Sequence, residues 1–415
     1  MVAMMAAFAA MEFLPPQAVK IDDQFWSPKY RVWRERTIAD VFDKFDRTGW
    51  FDNFDRVAAG ESGSGNHAGR EFADGLCYEA IRGASDYLAM WPSEELDRRL
   101  DGYIARIAAA QAADPDGYLN TFTQLQQPGH RWGENGGCML FQHELYNPGM
   151  LVEAGVHHYL ATGKTALLAV ATRYANMLCD TIGPAPKHNR VPTHSGPEEP
   201  LLKLARLYRD DPALAGKMSA RPDDYLKLVE FWMDSRGRHC GLPKWDDNLW
   251  KTIEWIGEHA AELYDPDDPQ KRPNWGDYAM DNVPLDEYRS IEGHAVRATL
   301  LATGIATLAC DTGSERYRKI GERLWDSMVG RKMYITGGVG ALADMERFGP
   351  DYFLPPAAYL ETCAAVGSAF FSARMAELSA DGRYIDELER VLYNAMLTAV
   401  GESGTEYTYE NPLES

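Results

Sequence analysis

The sequence predicts an all-α fold in which pairs of helices wrap into a toroid, an (α/α) barrel. Three observations predict it. Apolar residues recur with a period close to 3.6, and the alternating pattern of strands is scarce. A helix–turn–helix format returns four times along the chain. In each return the first helix is rich in Ala, Gly and other small residues, while the second carries more charge. That asymmetry suits an inner ring that packs closely and an outer ring that faces water. A solenoid of stacked helix pairs shares these features, but degenerate repeats and very unequal loops favour a closed barrel with a functional rim.

The elements follow in order. Residues 1–13, "MVAMMAAFAAMEF", are apolar but lack the basic residues that begin a secretory signal, and are expected to be a disordered extension. The remainder, 14–415, reads as one barrel. Its first clear pair spans 77–120 and turns at Trp91-Pro92-Ser93. The second spans 145–183, turning at Thr162-Gly163-Lys164 and stopped by Gly183 and Pro184. The third, 293–330, turns at Asp311-Thr312-Gly313, and the fourth, 360–397, at Asp381-Gly382. Between them lie two long loops, 114–149 and 333–363, that concentrate Gly, Asn, His, Trp and Tyr. Polar, aromatic loops at one end of a rigid scaffold are where binding and catalysis usually sit.

Composition narrows the function. With 42 Lys+Arg against 62 Asp+Glu the formal charge is −20, a field that repels phosphate backbones and anionic lipid surfaces. Nucleic acid and membrane partners are therefore not expected. The 11 Trp, 21 Tyr and 15 Phe suit sugar faces and a large core equally. Six cysteines lie far apart with no C-x-x-C, so spacing alone indicates neither a disulfide scaffold nor a closed structural zinc site, and a reducing, cytoplasmic setting is the simpler expectation.

The stretch "YLETCAAVG", residues 359–367, places Glu361 two positions before Cys363. Residues i and i+2 point to nearly opposite sides of a helix but share a face when the chain is extended. If the two act together, the backbone there is irregular or extended. Otherwise Cys363 is a small buried hydrophobe, the commoner fate of a free cysteine.

The ordered motifs "IEGHAVRATLLATGIA", "KMYITGGVGA", "ERFGPDYFLPPAAYLETC", "YIDELERVLYNAMLTAV" and "YENPLES", with "DGYLNTFTQL" and "HELYNPGMLVEAGVHHYLATGK" upstream, resemble the β-L-arabinofuranosidase family, glycoside hydrolase family 127. The resemblance runs from about residue 14 to the end. It implies an (α/α)6 barrel and a retaining glycosidase in which Zn2+ is held by a glutamate and cysteines, one cysteinate being the nucleophile. On that basis Glu361 and Cys363 are the first two zinc ligands, and Glu346 in "MERFGPDYFLP" is the general acid/base, a role that needs a carboxyl kept neutral near pH 7. His143, His194, His294 and Tyr409 carry over as substrate-pocket residues, and Trp132 is a further aromatic able to stack on a sugar. The implied partners are L-arabinofuranosides or related plant-glycan oligosaccharides.

Two departures from the family pattern stand out. Met150 occupies a position where relatives commonly carry histidine. The next motif of the family, an adjacent cysteine pair followed by prolines that completes the zinc site, has no counterpart before Ser415, nor do the family's C-terminal β-sandwich domains. The expectation is therefore a barrel truncated at its C-terminal end, with an incomplete ligand set. A non-catalytic carbohydrate-binding remnant, and a sugar epimerase or lyase on the same toroid, are the alternatives. A two-carboxylate glycosidase remains a further option, which requires a partner about 5 Å from Glu346 for retention, with Glu361 as the candidate.

Overall fold

A computed structural model describes residues 10–135, 137, 139–238 and 278–414. Among them the architecture is an all-α toroid. The inner helices are Ala73–Met90, Tyr146–Thr162, Glu198–Asp210, Ala295–Thr312 and Thr362–Ser379, each packed on its neighbours in that order. Their outer partners are Glu94–Ala112, Ala166–Thr181, Pro222–Ser235, Glu315–Arg331 and Gly382–Val391. The helix Ile38–Thr48 packs on Ala73–Met90. All four helix pairs expected from the sequence are present with their turns.

Local chemistry sets the turns. Ser93 caps the helix Glu94–Ala112 by accepting the Leu96 N–H, and Ser314 does the same for Tyr317. Gly163 and Gly313 end their helices in the left-handed conformation. At the fourth turn the left-handed residue is Ala380, at φ 54°, while Asp381 caps the next helix and Gly382 opens it. The glycine there serves as the first helical residue rather than the C-terminal cap.

Small residues bring the inner helices together. A Cβ on Gly367 would collide with Thr299 of the adjacent inner helix, so the two backbones approach as closely as an unsubstituted position allows. Charge also enters the ring, which a small-residue pattern does not foretell. Glu153 meets Lys203 at 2.7 Å and His157 at 3.2 Å, and Arg374 meets Glu199 at 2.7 Å. These side chains come from three inner helices and neutralise one another where they are largely withdrawn from water.

Among the described residues the paired strands lie at the end of the ring where the inner helices begin. Ala341–Leu342 pairs antiparallel with Arg347–Phe348, in register Ala341↔Phe348 and Leu342↔Arg347. Single bridges join His294 to Arg347, Ala341 to Tyr359 and Glu361 to Glu410. At the other end of one inner helix, the N–H groups of Ala10 and Met11 reach the Glu377 carbonyl at 2.6 and 3.2 Å. Residues 1–9 lie outside the described residues, as do Cys138 and Cys240.

Candidate active site

Four inner helices point their N-termini at one region. His294 is the N-cap of Ala295–Thr312, and Glu361 is the N-cap residue of Thr362–Ser379. His143 lies three residues before Tyr146–Thr162, and His194 four before Glu198–Asp210. The partial positive charge of four helix ends converges there, a setting that favours bound or developing negative charge.

Glu346 hangs from the short hairpin, between its two strands. Its Oε2 lies 2.7 Å from Nε2 of His294, and its Oε1 accepts the Tyr359 hydroxyl at 2.9 Å. His294 Nδ1 accepts the N–H groups of Val296 and Arg297 at 3.2 and 3.4 Å. A nitrogen that accepts carries no proton, so the imidazole hydrogen is on Nε2 and is donated to Glu346. That bond holds the Glu346 carboxyl below its ordinary range, against the opposing effect of burial. The expectation of a carboxyl kept neutral near pH 7 is thus not what this geometry gives, because the neutral form would forgo the His294 donor. Met345 and Glu346 both have φ near +55°, left-handed backbone that costs a non-glycine residue roughly 1–2 kcal/mol and aims the Glu346 side chain at His294 and Tyr359.

The other two histidines offer the opposite face. Nδ1 of His143 lies 2.8 Å from the Phe141 carbonyl, and Nδ1 of His194 lies 2.8 Å from the Ser195 carbonyl. A carbonyl only accepts, so both rings carry their proton on Nδ1 and leave Nε2 as a bare acceptor. Burial, reinforced by the Arg297 charge, pushes His143 down to about 3 and His194 well below its ordinary value. Neutral imidazole acceptors suit sugar hydroxyls. The ring centroids of His143 and His194 are 5.4 Å apart and those of His194 and His294 5.9 Å, so the three line one wall.

Glu361 sits at φ −71°, ψ 134°, the extended conformation that allows a carboxylate and the thiol two residues on to cooperate. Ligand atoms of Glu361, Glu346 and His294 lie within 4.8 Å of one another. Oε2 of Glu361 is buried without a hydrogen-bond partner, and burial, with the charge of Glu346, pushes the carboxyl up to about 7. Cys363 is exposed, unlike the buried Cys77, Cys179 and Cys310, yet desolvation of its sulfur and the Glu361 carboxylate push the thiol up. An unpaired carboxylate oxygen beside a thiol is a donor set chemically suited to zinc, though two ligands fall short of the three or four of a stable site. Tyr409 flanks the pair: its carbonyl accepts the Thr362 N–H at 2.9 Å, and its ring lies 6.4 Å from that of Tyr359.

All of Glu346, Glu361, Cys363, His143, His194, His294 and Tyr409 therefore lie at the same end of the ring. Trp132 is in the loop at that end but is buried against Tyr118, at 5.3 Å edge-on, and is core rather than a sugar platform. Met150 packs beside Gly196, next to the His194 wall. The sequence reading missed Tyr359, Arg297 and Tyr146. Each lies within three residues of a residue that was singled out, Tyr359 of Glu361, Arg297 of His294 and Tyr146 of His143, so proximity in sequence was a usable signal.

A family profile described as β-L-arabinofuranosidase, GH127 catalytic domain, matches residues 18–415. A non-reducing end β-L-arabinofuranosidase of Bifidobacterium longum subsp. longum is 31% identical over 364 residues, which are 87% of this chain and 51% of that protein. Among solved structures, a β-arabinofuranosidase of the same family superposes with a TM-score of 0.80 at 34% identity, covering 96% of this chain and 56% of that one. A β-L-arabinofuranosidase from Geobacillus stearothermophilus T6 gives 0.79 at 32%, covering 95% and 58%. The chain spans about half the length of the relatives it matches. With its motifs in order, its toroid and its carboxylate-rich helix-end site, the chain belongs to glycoside hydrolase family 127, as a catalytic domain of the β-L-arabinofuranosidase type.

Proposed function

We propose that this chain is the catalytic barrel of a retaining hydrolase of β-L-arabinofuranosides, with Glu346 as acid/base and Glu361 and Cys363 as ligands of a zinc ion. The observation that carries the reading is the close approach of Glu346, Glu361 and His294 on a wall of hydroxyl acceptors. The printed activities of the relatives support the choice of sugar. In this reading His143 and His194 accept sugar hydroxyls at Nε2 and orient the ring. Glu346 gives a proton to the glycosidic oxygen and takes one from water in the second half-reaction. Tyr359 and His294 fix its two oxygens, so the carboxyl does not swing away from the bond being cleaved. Zinc, when bound, keeps a thiol in its nucleophilic thiolate form at neutral pH. The free thiols of Cys77, Cys179 and Cys310 fit a reducing, cytoplasmic setting.

A second reading is favoured by the same approach. Carboxyl groups about 5 Å apart are the spacing of a two-carboxylate retaining glycosidase, in which Glu361 itself would attack the anomeric carbon. Chelation separates the two. Hydrolysis of an aryl β-L-arabinofuranoside should be abolished by chelator and restored by zinc under the first reading, and be indifferent under the second. Glu346→Gln should remove turnover under both. Binding of the furanoside without turnover would support a carbohydrate-binding remnant, and neither binding nor turnover would overturn the assignment.

A further inference from the structure

One carboxylate in this region has no role in the reading above. Glu79 lies on the inner helix Ala73–Met90, and its Oε1 accepts the Tyr146 hydroxyl at 2.6 Å. Among the described residues no hydrogen bond reaches its Oε2. Glu79 is half-buried on its inner helix and keeps accessible surface, so it is not sealed in packed core. Tyr146 packs against the rings of His194 and His143, so the Glu79–Tyr146 pair borders the same wall as the candidate site.

Tyr146 is held from several sides. Its ring centroid is 4.3 Å from that of His194 and 5.7 Å from that of His143. A Cβ on Gly75 would come within 2.8 Å of its ring, and one on Gly196 within 2.9 Å. Two glycines on opposite segments therefore leave just the thickness of an aromatic ring. A tyrosine so confined has one place for its hydroxyl, and that hydroxyl fixes one oxygen of Glu79.

We propose that Glu79 is a specificity-determining residue of the sugar site: its free Oε2 accepts a hydroxyl of the bound furanoside, and Tyr146 is the positioning residue that holds the carboxylate in place. The inference rests on the furanoside reading. It assigns recognition to a third element beside the bare nitrogens of His143 and His194. Because a carboxylate accepts and does not donate, it selects sugars that present a hydroxyl there over those that lack one, and the penalty for the missing group falls on binding.

The test is calorimetric affinity of the full chain for an aryl β-L-arabinofuranoside and for its 2-, 3- and 5-deoxy analogues, with wild type, Glu79→Ala, Glu79→Gln and Tyr146→Phe, each carrying Glu346→Gln so that nothing is hydrolysed. Loss of a hydrogen bond to a charged group should weaken the parent by about tenfold to a hundredfold in Glu79→Ala. The same change should leave one deoxy analogue bound as in wild type. Glu79→Gln, which keeps an acceptor oxygen, should recover most of the affinity, and Tyr146→Phe should show the same analogue pattern at reduced size. Equal weakening toward every analogue, or no weakening in Glu79→Ala, overturns the proposal. A wild-type chain that binds none of the furanosides overturns the parent reading, whereas a binding wild type with unaffected variants overturns this inference alone.

Discussion

His294 donates from Nε2 to Oε2 of Glu346 across 2.7 Å while its Nδ1 accepts two N–H groups of its own helix. One imidazole thus joins the positive end of an inner helix to the proposed acid/base. The tautomer follows from the backbone and is not free to change while the helix is formed. Glu346 is in consequence biased toward its charged form.

Replacing His294 by Ala removes the donor that holds the Glu346 carboxyl down, so its ionisation moves to higher pH. The limb of the pH profile that reports Glu346 should shift upward, and the plateau of kcat/KM should fall by about tenfold or more, because one of the two groups that fix the carboxyl is gone. The profile of the variant beside wild type checks this; an unmoved limb means that His294 does not set the ionisation of Glu346.

Metal retention should depend on the two residues of "ETC". Purified chain incubated with zinc and then desalted should keep less metal after Cys363→Ala and after Glu361→Gln than in wild type, as read by elemental analysis. Cys179→Ala, a change at a buried thiol on an outer helix, should leave the content unchanged.

Glu144, next to His143 in sequence but bonded to Tyr118 in the core, provides a stability test. It is fully buried, its Oε1 accepts the Tyr118 hydroxyl and the Trp132 N–H, and its Oε2 has no partner. Burial pushes its carboxyl up to about 7 from an unfolded value of 4.5. Between those values the folded state binds more protons than the unfolded, so stability falls as pH rises through that window. Glu144→Gln should flatten that slope and raise stability at pH 8 by on the order of 1–3 kcal/mol. Denaturation midpoints at pH 5 and pH 8 measure both effects.

The Gly367–Thr299 contact predicts a packing cost. Gly367→Ala forces two inner helices apart and should destabilise by about 1–3 kcal/mol. Thr299→Gly in the same chain should recover part of that loss, since Thr299 supplies the colliding atoms. Thermal unfolding of both single variants and the double variant gives the coupling.

The helix pairs were legible because periodicity, Gly163, Gly313 and the capping serines are local signals. The fourth turn was legible in position but not in mechanism: Ala380, a residue without glycine's freedom, takes the left-handed conformation. The charges inside the ring were not legible, since Glu153 and Lys203 look like ordinary solvent-facing residues until helices far apart in sequence bring them together. In the site, "ETC" announced an irregular backbone, and Glu361 is extended as required. The low ionisation of Glu346 was hidden, because it depends on which nitrogen of His294 carries the hydrogen.

The hairpin that carries Glu346 has a consequence for the order in which the chain assembles. Its strands meet residue 294 on one side and residue 359 on another, and Glu361 is bridged to Glu410. None of these pairings comes from within a helix pair, and each closes a loop the helices do not need in order to form. Contacts between distant segments form later than local ones. During refolding, helical signal should return before the ability to bind a furanoside, leaving an interval in which the ring exists and the site does not.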